Sequence, residues 1–108
     1  MKRGDLYRVR RPPGDPKPAR VFLVVSRQSL VDSSFSTVVC APVFSKRRGL
    51  PSEVAVGEAE GLKHDSAVLC DALMSIDKSR LTDFVGELSP AKVRELDRAL
   101  TVALSLRK

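Results

Sequence analysis

The sequence predicts a mainly β, α+β fold: a small twisted barrel or sheet of short strands with one helix laid over it. Three observations carry this. The apolar runs are short and rich in valine, turn residues separate them, and only the last stretch has a helical period. At 108 residues the chain makes one domain, residues 1–108, with a modest core.

Tyr7 and Val9 alternate with Arg8 and Arg10, as in a short half-exposed strand. Residues 11–18 hold four prolines, which lack amide donors, so this stretch is a basic loop expected to be mobile. Val21 to Ser26 is a buried strand, too short for a helix. Ser29 to Ser36 carries polar turn chemistry. Thr37 to Phe44 is a second buried strand, in which Pro42 implies an edge or a bulge. A basic turn, residues 45–52, leads into the alternating strand Glu53-Val54-Ala55-Val56. Gly57 to Asp65 is a loop with room for one helical turn. Ser66 to Cys70 and Leu73 to Ile76 are strands separated by Asp71-Ala72, and Asp77 to Leu81 is a turn before Phe84-Val85-Gly86. In the helix, Ser89 caps and Pro90 takes the first position. Val93, Leu96, Leu100, Val102 and Leu104 form its apolar stripe, opposite Lys92, Arg94, Glu95 and Arg98.

Hydrophobic residues make up 43% of the chain, and the net charge is +6. The first figure speaks against disorder. The second attracts polyanions, nucleic acid above all, although surface cations also serve solubility. No apolar run approaches the roughly 20 residues that span a bilayer, and the start has no signal-peptide layout. A cytoplasmic protein, away from membranes, is expected. Cys40 and Cys70 each sit in an apolar run, as buried thiols of a reducing compartment do. Two cysteines and one histidine without ligand spacing make no zinc site, so neither metal nor cofactor is expected.

Arg20 stands at the foot of one buried strand, and the next ends in Phe44-Ser45-Lys46-Arg47-Arg48-Gly49. An arginine, a hydroxyl and a cationic cluster gathered at strand ends suggest a phosphate site. From the residues alone, the favoured reading of Arg20 is the plain one, a strand-end arginine that is solvated or paired with Asp15.

Lys2-Arg3-Gly4-Asp5-Leu6-Tyr7, Cys40 to Ser45 before Gly49-Leu50-Pro51-Ser52-Glu53-Val54, and Asp97-Arg98-Ala99-Leu100 resemble the MazF/PemK toxins. These are small ribonucleases of toxin–antitoxin pairs. The resemblance spans nearly the whole chain. It implies an SH3-like β-barrel with a C-terminal helix, a homodimer, and a cognate antitoxin with an acidic binding tail. It also implies a type II toxin that cuts single-stranded RNA at selected sequences without a metal, leaving a 2′,3′-cyclic phosphate and a 5′-hydroxyl.

Arg20 matches the family's catalytic arginine, though Val21 follows where proline is usual, and is assigned to stabilising the phosphate in the transition state, with proton transfer as a further role open to it. The usual hydroxyl position falls on Phe44, which cannot donate. Ser45 is the candidate in its place, reaching the site only if the strand has ended or bulged; otherwise it is a turn hydroxyl. Lys17, Lys46, Arg47 and Arg48 are candidates for binding the RNA backbone, with a solvated surface as the plain alternative. Asp71 matches an acidic family position and either orients Arg20 or satisfies local amides. Ala72 and Met74 replace a glutamine and a basic residue that contact RNA in relatives. His64, in Lys63-His64-Asp65, is of the residue type that suits a general base, but it has no catalytic counterpart in the family and reads as a surface residue. Tyr7 and Phe35 could stack on a base, but core packing is favoured for both.

Two other functions stay open. The CcdB toxins share this fold and poison DNA gyrase without cutting RNA, and Phe44, Ala72 and Met74 lean that way. Those toxins end in a Trp-containing tail, and this chain has no tryptophan. The second is a toxin that has lost catalysis and only binds its antitoxin.

Overall fold

The computed structural model describes residues 1–106; Arg107 and Lys108, the end of the expected domain, lie outside the described residues. Seven strands form an antiparallel sheet: β1 (Asp5–Arg10), β2 (Ala19–Val24), β3 (Thr37–Phe44), β4 (Glu53–Val56), β5 (Ser66–Leu69), β6 (Met74–Asp77) and β7 (Asp83–Glu87). Their order is β4-β5-β3-β2-β1-β7, with β6 also paired to β3. A four-residue helix, α1 (Gln28–Val31), and the long C-terminal α2 (Pro90–Ala103) complete the chain. This is the expected mainly β barrel with its helix.

The central strands are buried on both faces, which is why their sequences are continuously apolar rather than alternating. Leu23, Val25, Ala41 and Val43 pack with Val54, Val68, Leu96 and Ala99 in the cluster that α2 covers. Phe22, Val24, Val38 and Cys40 turn the other way, toward Tyr7, Val9, Ile76 and Leu81. Burying one such aliphatic side chain stabilises the fold by about 1.5–3 kcal/mol. Both cysteines are free and buried. Burial pushes the Cys40 thiol up to about 12, and burial with the nearby Asp71 charge pushes Cys70 up to about 11.

Pro42 sits where β3 changes neighbour. The pairing with β6 runs through Cys40 and that with β5 starts at Val43, so no ladder bond is interrupted. Near β7 the sheet meets the turn after β4 backbone to backbone. A side chain at Gly86 would collide with the Glu60 carbonyl, and one at Gly61 (φ +92°) with that of Val85.

Three local expectations are corrected. Part of the polar stretch 29–36 is helical: α1 has no side-chain cap, but Lys78 Nζ donates to the Leu30 and Ser33 carbonyls at 3.0 and 2.7 Å. Phe35 is not core; it is 58% exposed, whereas Tyr7 is buried and meets Phe84 edge-on at 5.7 Å. The apolar stripe of α2 is narrower than expected, because Val102 and Leu104 are exposed. Val102 lies six residues after Leu96, about a third of a turn off the buried face. The loop 11–18 is pinned at its base, where Arg11 N donates to the Pro18 carbonyl at 2.8 Å. Arg80 Nη2 donates to the carbonyls of Arg10 and Arg11.

Candidate functional site

Antiparallel pairing of β2 with β3, with Phe22 opposite Pro42, brings the foot of β2 beside the end of β3. There Arg20 is held on three sides. Its Nε and Nη2 donate to the two oxygens of Asp15, and Nη1 donates to the Val43 carbonyl at 3.0 Å. The guanidinium lies 3.8 Å from the centre of the Phe44 ring, a stacking that suits a planar cation. The Arg20 side chain is only 10% exposed.

Asp15 is presented by the proline-rich loop, where it accepts from Lys17 N at 3.0 Å. The Arg20 guanidinium, helped by that amide, holds its carboxyl below the usual aspartate range. A guanidinium carries five N–H donors. Two on Asp15 and one on Val43 leave two, one on each terminal nitrogen. That pair fits two oxygens of one phosphate.

Arg20 forms the wall of an open cavity of about 240 Å³, together with Arg8, Lys17, Ser45, Lys63 and His64. β3 ends at Phe44, so the following residue is free of the strand's alternation, and Ser45 reaches the same cavity as Arg20. Lys17 joins them from the first loop. Lys46, Arg47 and Arg48 are exposed just beyond Ser45 and do not line the cavity. Arg47 instead borders clefts with Glu53 and Glu95 and with Glu58 and Asp65. The Arg48 and Gly49 amides donate to Glu53 Oε1, both at 3.1 Å.

Asp71 is not beside Arg20: it accepts from Ser52 Oγ at 2.6 Å, and the orienting carboxylate is Asp15. The ion pair with Asp15, weighed as an alternative to a phosphate role, is present together with the cavity. Arg8 and Lys63 line the cavity without having been singled out, since strand pairing and the β4–β5 loop bring them in from separate segments; His64, exposed as expected, lines it too. Among the described residues, no three His, Cys, Asp or Glu side chains gather where a metal could bind.

Residues 2–104 match the family described as PemK-like, MazF-like toxin of type II toxin-antitoxin system. The chain belongs to this family. It is 30% identical over 113 residues to Endoribonuclease EndoA of Bacillus subtilis, covering 98% of this chain and 96% of that one. A mycobacterial endoribonuclease solved in complex with its cognate antitoxin superposes with a TM-score of 0.85 at 30% identity, covering 100% and 98% of the two chains. The Mycobacterium tuberculosis toxin MazF-mt6 gives 0.83 at 26% identity, covering 96% and 99%.

Within this PemK/MazF-like chain, Phe44 departs from the expected hydroxyl and has a visible role, since its ring supports the Arg20 guanidinium. Among the described residues no helix is long and apolar enough to cross a membrane.

Proposed function

We propose that the chain is the toxin of a type II pair and acts, as a single domain, as an endoribonuclease on single-stranded RNA. The observation that carries this is Arg20: fixed by Asp15, Val43 and Phe44, it keeps one N–H on each terminal nitrogen at the wall of a cation-lined cavity. RNA brings its own nucleophile, the 2′-hydroxyl. Arg20 stabilises the charge that grows on the phosphorus oxygens, the kind of contribution that is usually largest. Ser45 hydrogen-bonds the same phosphate, and Lys17, Lys46, Arg47 and Arg48 guide the backbone. Cleavage without a metal leaves a 2′,3′-cyclic phosphate and a 5′-hydroxyl. Cutting messages in the cytoplasm arrests translation.

The EndoA relative is named an endoribonuclease and the mycobacterial one is held by its antitoxin. By analogy this chain forms a homodimer and is covered by an antitoxin whose acidic segment meets its positive surface. The gyrase-binding and binding-only readings are not carried forward.

Incubating the protein with a long single-stranded RNA and EDTA tests the proposal. Discrete cuts with cyclic-phosphate ends are expected, and Arg20→Ala should lose at least about 100-fold in rate. Uncut RNA alongside trapped gyrase–DNA complexes would overturn it.

A further inference from the structure

The cavity is rich in proton donors and poor in acceptors. Arg8, Lys17, Arg20 and Lys63 line it, and neither ammonium nor guanidinium has a lone pair to receive a proton. The carboxylate beside it, Asp15, has both oxygens on Arg20. Asp71 is occupied by Ser52. The Ser45 hydroxyl is no base unless another group removes its own proton. His64 remains, the one histidine in the chain. It lies in the loop between β4 and β5, is exposed, and lines the same cavity as Arg20 and Ser45. Its hydrogen bond among the described residues runs through the backbone: the His64 carbonyl accepts from Ser66 Oγ at 3.0 Å. That contact steadies the loop without engaging the ring.

We infer that His64 is a catalytic residue of this chain, the general base that takes the proton of the RNA 2′-hydroxyl. The inference rests on the ribonuclease function proposed above. As the 2′-oxygen bonds to phosphorus, its proton passes to a ring nitrogen of His64. The bond from phosphorus to the 5′-oxygen breaks, and that oxygen takes a proton from water. The hydroxide left behind is neutralised by the imidazolium, which returns His64 to its starting state. The charged groups that line the cavity with His64 are Arg8 of β1, Lys17 of the first loop, Arg20 of β2 and Lys63 beside it. Asp15 lies behind Arg20, and Asp65 follows in the chain. Lysine and arginine titrate well above neutrality as a class, and imidazole is the side chain whose proton moves between about pH 5 and 8.

The test measures cutting of a long single-stranded RNA in EDTA from about pH 5 to 8, for wild type, His64→Gln and Asp15→Asn. Binding of single-stranded DNA of the same sequence, which lacks the 2′-hydroxyl, is measured in parallel. The wild-type rate should rise with pH, and His64→Gln should cut about 100-fold more slowly with the rise gone and DNA binding unchanged. Asp15→Asn should keep the rise. Three outcomes would overturn the inference while leaving the ribonuclease standing: His64→Gln retaining rate and rise, the rise disappearing in Asp15→Asn instead, or DNA binding falling as far as cleavage in His64→Gln. A wild type that cuts no RNA would remove both.

Discussion

Asp15 and Arg20 define each other. The carboxylate fixes the plane of the guanidinium, and the guanidinium keeps the carboxylate ionised to lower pH than usual. Because the folded value is depressed, the pair stabilises the fold above the ordinary aspartate value of about 3.9. That stabilisation fades as pH falls through the lower folded value. Thermal unfolding of wild type and Asp15→Asn should therefore differ by a constant amount above about pH 4, and the two should converge on further acidification. A gap that held unchanged into strong acid would contradict the pairing. Arg20 was legible because a lone arginine opening an apolar run is a local signal. Asp71 misled because its partner, Ser52, is 19 residues away. His64 is exposed, as its loop suggested; that it also lines a cavity was hidden, because four separate segments build that cavity.

Elements were legible where burial wrote them into the chain. β2 and β3 have continuous apolar runs, and α2 announces itself with Ser89, Pro90 and a helical period; Ser89 Oγ does accept from Lys92 N, at 3.2 Å. α1 was hidden because what satisfies its final carbonyls, Lys78, comes from 48 residues downstream of Leu30. The approach of β7 to the turn after β4 was equally silent, since a glycine in a sequence does not say what passes over it. That contact predicts a clear cost. Gly86→Ala must push the Glu60 carbonyl away and Gly61→Ala also meets an unfavourable φ, so each should destabilise by about 1–3 kcal/mol. Urea unfolding checks this, and wild-type midpoints for both variants would show that the backbone yields freely there.

For the molecule as a whole, the net charge of +6 matters through its placement. Lys17 stands inside the cavity while Lys46, Arg47 and Arg48 extend the positive surface past Ser45. Each phosphate contact adds about 0.7 to the slope of log affinity against log salt for a single strand. Lys17→Ala should flatten that slope by about 0.7, and replacing residues 46–48 together should flatten it by up to about 2. Slopes identical to wild type would place the RNA elsewhere. Arg20 and Phe44 sit at the ends of strands packed on both sides, and Lys17 shares its loop with Asp15, which holds Arg20, whereas the basic triplet is exposed. Substitutions confined to the basic triplet can redirect which messages are destroyed without disturbing how the phosphodiester is broken, so a lineage carrying this scaffold is free to change its targets while its chemistry stays put.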